Sequence, residues 1–131
     1  MADLVVVVDN GLDHVADAIL ALGATAPKWI EWGTGVGAPT RTDADLGTPG
    51  AEVRTEGTDS VLASVDTGAA ADTYRTVGAI TEAAGPAAIT EVGTWTNLTA
   101  GIMFLRATFS AINLETGNSI EFTIDTKFAP A

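Results

Sequence analysis

Two aspartates in one loop are the residues whose spacing best suits metal binding. Asp43 and Asp45 stand two positions apart in a stretch rich in Thr, Gly and Pro, from Thr40 to Pro49. Carboxylate oxygens on such a loop are ligands that Ca²⁺ accepts, but the closing glutamate of an EF-hand loop is absent. The sequence therefore offers Asp43 and Asp45 as an incomplete ligand set for a structural divalent cation, and we predict no other metal or cofactor.

Three closely spaced glycines could aim backbone amides at a phosphate group. They are Gly33, Gly35 and Gly37, and Ala38-Pro39 follows them directly. A Walker loop would instead end in Gly-Lys-Ser or Gly-Lys-Thr, and a dinucleotide fingerprint would open a helix. We expect a turn that ends a strand, with a nucleotide-binding domain as a distant alternative.

Acid–base catalysis has few candidate residues. His14 is the only histidine, and it would need a nucleophile to activate, which no Gly-x-Ser-x-Gly elbow supplies. Pairs of glutamates could also act as general acid and base, but an acidic chain offers such pairs by abundance: Glu82, Glu91, Glu115 and Glu121. We predict that the protein is not an enzyme, and a small hydrolase remains a distant alternative.

Composition narrows the classes of partner. The chain has 131 residues, 17 acidic and 6 basic side chains, a net charge of -11 and no cysteine. This length suits a single core, so we expect one domain over residues 1–131. Disulfides and thiolate metal sites are excluded. Because the acidic surface repels phosphate backbones and anionic headgroups, we expect neither a nucleic-acid nor a membrane partner.

The amino-terminal part predicts a strand followed by a helix. The apolar run Leu4-Val5-Val6-Val7-Val8 is too short to span a membrane and is typical of a strand that is covered on both sides or paired with another chain. We assign residues 1–9 to this N-terminal strand or arm, and these five residues are interface candidates. Apolar positions at helical spacing from Leu12 to Leu22 predict one α-helix over residues 10–23.

Residues 27–128 are predicted to form a β-rich body. Trp29 and Glu31 alternate with Lys28, Ile30 and Trp32, which predicts a strand. Trp29 and Trp32 then point to opposite faces, so one packs in the core and the other faces a sheet edge or a partner. Both are interface candidates. Further strands are predicted over residues 51–55, 60–65, 73–80, 88–92, 102–109 and 119–128.

The last two predicted strands indicate the architecture. Residues 119–128 alternate apolar and polar side chains, as a half-buried antiparallel strand does. Residues 102–109 carry large side chains on both faces, which predicts a central strand. Glu115-Thr116-Gly117-Asn118 is expected to turn the chain between them. The fold class we predict is mainly β, an antiparallel β-sandwich or jelly-roll-like domain with one N-terminal α-helix.

Four segments, taken in order, carry a resemblance to a known group. Ala26 to Gly35 fits Ala-Pro-x-x-Ile-x-x-Gly-Thr-Gly, and Thr42 to Leu46 corresponds to a Thr-x-x-Asp-x-x-Leu loop but is two residues shorter. Ile89 to Gly93 fits Ile-Thr-Glu-x-Gly, and Phe109 to Ile120 fits Phe-x-x-Ile-x-x-x-x-Gly-x-Ser-Ile. The chain resembles a widespread group of small structural proteins of tailed viruses, over most of its length except residues 50–87.

The resemblance implies a component of a virion. The leading hypothesis is a capsid decoration (cement) protein that binds the major capsid protein lattice and copies of itself, as a homotrimer, and so stabilises the head. The alternative is a tail, baseplate or fibre-attachment module. Either implies synthesis in the host cytoplasm and residence in the virion, on the capsid surface in the leading hypothesis. The resemblance brings no catalytic residues. The excess of acidic side chains indicates a virus of a salt-loving host, and the alternative is that net charge simply keeps an abundant protein soluble.

Overall fold

The computed structural model describes residues 2–8, 25–62 and 73–127. Within these ranges the chain is mainly β and contains no helix, and so none that could cross a bilayer. The predicted helix over residues 10–23, with His14, lies outside the described residues. The strands are β1 (Ala2–Val7), β2 (Trp29–Gly33), β3 (Thr55–Glu56), β4 (Thr58–Leu62), β5 (Thr73–Thr81), β6 (Ala87–Trp95), β7 (Met103–Leu114) and β8 (Ser119–Lys127).

The strands form two antiparallel sheets. The first has the order β1-β7-β6-β2-β3 and the second the order β4-β5-β8. In β8 Phe122 and Thr126 are buried and Glu121 and Asp125 exposed, so the predicted alternation is confirmed. In β7 every residue from Met103 to Ala107 is buried, and the strand lies between β1 and β6. The prediction of a central strand is confirmed as well.

Apolar side chains from both sheets share one core. Ile30 and Trp32 of β2 are fully buried, and Ile80 of β5 and Phe122 of β8 belong to the same cluster. The ring centroids of Phe109 and Phe122 lie 6.2 Å apart across the two sheets. Burial of an aliphatic or phenyl side chain contributes about 1.5–3 kcal/mol. The alternation of apolar and polar residues along each strand determines which face of the sheet packs in this core. The opposite face of the first sheet is called here the outer face, and it carries the polar residues described below.

The predicted turn at Glu115 to Asn118 joins the two sheets. The amide of Asn118 donates to the carbonyl of Glu115 at 3.1 Å, and the φ of Gly117 is 92°. The turn is tied to the end of β5, because the Gly117 amide donates to the carbonyl of Glu82 at 2.7 Å. The location of the turn is confirmed, and it carries the chain from β7 in one sheet to β8 in the other.

The strand predicted over residues 51–55 is wrong except at its end. Pro49 pairs with Gly33 in an isolated bridge, and the Gly50 amide donates to the carbonyl of Trp32 at 2.9 Å. This segment therefore pairs with the end of β2 and leaves the sheet, and only Thr55 and Glu56 return to it as β3. The strand predicted over residues 60–65 begins earlier, at Thr58.

The N-terminal run is a strand of the protein's own first sheet and not an unpaired arm. β1 pairs antiparallel with β7 of its own chain, with Val5 opposite Ala107. Val8 is fully buried, which corrects its place among the interface candidates, whereas Val5 is 56% exposed. Val6 is half-buried, and the side chains of Leu4 and Val7 lie outside the description.

Candidate functional site

The two tryptophans of β2 have different environments. Trp32 has no exposed surface in the shared core, so its assignment as an interface candidate is wrong. Trp29 points the other way, as predicted, and is half-buried against a smaller apolar cluster on the outer face. Trp29 therefore remains an interface candidate.

The two candidate metal ligands point to different partners within the protein. One Asp43 oxygen lies 2.7 Å from Nη1 of Arg106, and the carboxylate also accepts the amide (2.9 Å) and the hydroxyl (2.6 Å) of Thr40. Asp45 accepts the amide of Leu46 at 2.8 Å. In the described part of the chain no three His, Cys, Asp or Glu side chains come together as a metal centre would require. A divalent cation at Asp43 and Asp45 stays a prediction.

Hydrogen bonds fix the charge of Asp43. Burial alone would raise the pKa of its carboxyl, but the bonds from Thr40 and Arg106 outweigh it and hold the pKa below its usual value. Asp43 is therefore an anion paired with an arginine.

Glu91 is the centre of the outer face. This side chain of β6 is fully buried, and its carboxylate accepts the amides of Gly35 (2.9 Å), Thr48 (2.8 Å) and Gly47 (3.0 Å). Nε of Arg106 donates to it at 2.9 Å from the neighbouring strand β7. Burial raises the pKa of Glu91, but these four donors outweigh it and lower the pKa below the ordinary value. The carboxylate is held as an anion with its oxygens occupied inside the protein.

Two of the three closely spaced glycines, Gly33 and Gly35, are explained by this carboxylate. A Cβ atom added at Gly35 would lie 2.5 Å from Oε1 of Glu91, and one at Gly33 would lie 2.6 Å from the same oxygen and would also clash with the Thr48 carbonyl oxygen. Only glycine lets the backbone approach this closely. The segment does aim a backbone amide at an anion, as the sequence suggested, but the anion is the protein's own Glu91.

Arg106 completes the network. Its Nε bonds to Glu91, its Nη1 to Asp43 and its Nη2 to the carbonyl of Gly37 at 3.0 Å. Its residue surface is only 4% exposed. Burial would lower the pKa of this guanidinium, but the two carboxylates raise it, so Arg106 stays charged. The network joins β6 and β7 to the segment over residues 34–49, called here the strap.

A second charged pair lies on the same face. Nε of Arg54 lies 3.4 Å from Glu31, and its guanidinium carbon lies 4.0 Å from the ring centroid of Trp95. Arg54 also donates to the carbonyls of Asn97 (3.1 Å) and Ala100 (2.6 Å). These contacts hold the loop after β6 against the sheet.

Two glutamates meet at the end of the molecule where the Gly117 turn lies. Glu52 accepts the indole N–H of Trp32 at 2.8 Å, and both Glu52 (3.2 Å) and the buried Glu82 (2.9 Å) accept the amide of Ala84. They line a pocket of about 330 Å³ with Trp32 and Ile89. Burial would raise the pKa of Glu52, but the bonds that its carboxylate accepts from the indole of Trp32 and the amide of Ala83 outweigh it, and the pKa is lowered to about 2.

An apolar groove of about 370 Å³ opens between the sheets along β7 and β8. Val5 of β1 and Phe109 and Ile112 of β7 are among its lining residues. Glu121 and Asp125 of β8 are also among its lining residues. Val5 and Ile112 are 56% and 38% exposed, so apolar surface is accessible here.

Sequence reasoning weighed Glu91 only as a member of a generic acid pair and did not single out Arg106. A signal was present, because an arginine in a strand with bulk on both faces must be buried, and a buried charge requires a partner. The sequence does not show which acid that partner is.

Comparisons with known proteins found no family whose model matches the chain, no similar curated protein and no similar solved structure.

Proposed function

We propose that the protein is a structural component of a tailed virus, a capsid decoration protein that binds the major capsid protein lattice and stabilises the head. One observation carries the proposal. Residues from three of the segments that resemble the viral group, Gly35, Asp43 and Glu91, meet in one buried network with Arg106. Those motifs therefore build a scaffold, as the motifs of a structural protein should.

We further infer that the two sheets pack as a small β-sandwich of jelly-roll type, since both contribute to one core. A homotrimer of such domains seated where capsomers meet would engage several modest interfaces at once. Effective concentration then makes the assembly hold much more strongly than a single contact. The groove flanked by Val5 and Ile112 is the surface proposed to face the partner, with Trp29 as a second contact.

Electron cryomicroscopy of the virus particle tests the proposal. Hundreds of copies on the head, in contact with the major capsid protein, are expected. A few to tens of copies at the tail would instead establish the tail, baseplate or fibre-attachment alternative. Absence of the protein from purified particles would reject both.

Substitution in the groove tests the proposed interface. Val5→Glu and Ile112→Glu place a charge on apolar surface that is already exposed, so folding should persist while occupancy on isolated heads falls at least tenfold. Val36→Glu is the matched control, because Val36 is 86% exposed in the strap, away from the groove. Equal occupancy for all three variants would show that the groove is not the contact.

A further inference from the structure

The strap is a loop whose two ends are paired with each other through the backbone. It leaves β2 after Gly33 and returns at Pro49, which pairs with Gly33. The amide of Thr34 also donates to the carbonyl of Thr48 at 2.9 Å. Loops whose ends meet in this way are compact units that pack on a surface by their own side chains.

Few apolar contacts attach the strap to the outer face. Leu46 is its one buried apolar side chain, and Val36 is 86% exposed. The remaining attachment is polar. Most of it converges on Glu91 and Arg106, and the Thr90 hydroxyl also donates to the carbonyl of Gly35 at 2.8 Å. Segments with few buried apolar contacts open locally at lower free energy than the core strands do.

Apolar surface lies beneath the strap. Leu46 packs against Trp95 and Met103, which are each 1% exposed. The Trp95 ring lies over Gly93. A Cβ atom added at Gly93 would be 2.8 Å from Cη2 of Trp95 and 3.1 Å from Cδ2 of Leu46. If Leu46 moved away, this face of Trp95 would become accessible while β6 and β7 remained paired.

We propose that residues 34–49 open as one unit, hinged at Gly33 and Pro49, and that the Glu91 carboxylate is the latch. Three strap amides bond to this single anion, so its loss releases them together. Opening of the strap controls access to the apolar surface around Trp95. This inference does not depend on the protein being a virion component.

Amide hydrogen exchange tests the opening in the unmodified protein. The amides of Gly35, Gly47 and Thr48 should exchange at least tenfold faster than the ladder amides between β6 and β7, and with little dependence on denaturant. Exchange of these three amides at the rate of the ladder amides would overturn the proposal.

Trypsin tests the latch, because Arg41 lies in the exposed tip of the strap and Arg75 lies within β5. In Glu91→Gln, cleavage after Arg41 should accelerate at least tenfold more than cleavage after Arg75, which reports the loss of global stability that follows when the buried ion pair is broken. An unchanged rate at Arg41, or an equal rise at both sites, would overturn the proposal.

Leu46→Ala provides a milder second variant, since it removes one apolar contact and leaves the Glu91 network intact. It should accelerate cleavage after Arg41 by a smaller factor, again more than cleavage after Arg75. Val36→Ala is the matched control within the strap and should leave both rates at wild-type values. Acceleration in the control equal to that in Leu46→Ala would contradict the latch.

Discussion

At the scale of residues, an arginine–carboxylate ion pair occurs in two environments. Arg106 pairs with Glu91 in a buried site, and Arg75 of β5 forms a bidentate pair with Asp125 of β8 at 2.7 and 2.8 Å on the surface. A surface pair is screened by water, whereas a buried charge that loses its partner has no solvent to replace it. The two pairs should therefore respond very differently to truncation.

Arg106→Leu should lower the free energy of unfolding by about 3–5 kcal/mol, because it leaves Glu91 as a buried anion with its three amide donors but without its cation. Urea denaturation at neutral pH measures the change. Arg75→Leu is the matched control on another strand, and we expect no change beyond experimental error. Similar losses in both variants would contradict the distinction between the buried and the exposed pair.

Glu52 should give the protein part of its acid sensitivity. Its pKa is lowered to about 2 in the folded protein, below the value of about 4.3 typical of an unfolded chain. The folded state therefore binds fewer protons in this window, so the contribution of Glu52 is present above the unfolded pKa and is lost as pH falls toward about 2.

Urea denaturation of wild type and Glu52→Gln from pH 7 to pH 2 checks this. The difference in stability should be constant at neutral pH and shrink as pH falls through the window. Emission from Trp32, whose indole donates to Glu52, should follow the same course. A pH-independent difference would contradict the assignment.

At the scale of elements, alternation along the chain predicted the long strands well. β5, β7 and β8 begin within a residue of their predicted starts, since each contributes an apolar face to a core. The sequence predicted a turn after Gly33 and a loop over residues 40–49, but not how this segment attaches to β6 and β7, and it wrongly predicted a strand from residue 51. Strap amides donate to the Glu91 side chain and the Gly50 amide donates to β2, and the sequence carries no periodic signal for such contacts. The turn at Gly117 was predicted from its residue types.

Gly117→Ala should lower stability by about 1–2 kcal/mol, the cost of placing a Cβ in the left-handed region. Its φ is 92° and no atom lies within 4 Å of the added Cβ, so the effect is conformational alone. Gly37→Ala is the matched control, since the site is equally open and shows no such φ. It should leave stability unchanged or raise it by a few tenths of a kcal/mol. Equal melting temperatures for the two variants in thermal unfolding would contradict this account.

At the scale of the whole molecule, charge is the dominant property. The net charge is -11, and basic residues are already engaged with acids: Lys28 with Glu56, Arg75 with Asp125, and Arg106 with Asp43 and Glu91. The acidic excess, 17 against 6, leaves repulsion within the fold and between neighbouring copies. Solvent ions must screen that repulsion.

The melting temperature should therefore rise between 0.01 M and 1 M NaCl, as the Debye length falls from about 30 Å to about 3 Å. Choline chloride at equal ionic strength should produce the same rise if screening is the cause. If the protein decorates a capsid as proposed, its occupancy on virus particles should fall in dilute buffer for the same reason. A melting temperature independent of salt would contradict this interpretation of the charge.

The sequence by itself determined the β character of the described chain, the faces of its long strands and the turn at Gly117, because side-chain alternation and turn chemistry are local. Only the tertiary structure decided that Glu91 is the anion for the glycine segment and that Arg106 is its cation. Those partners come from β6, β7 and the strap, far apart in the chain. The energy of a buried charge depends on which donors the fold brings around it, and local sequence does not specify them.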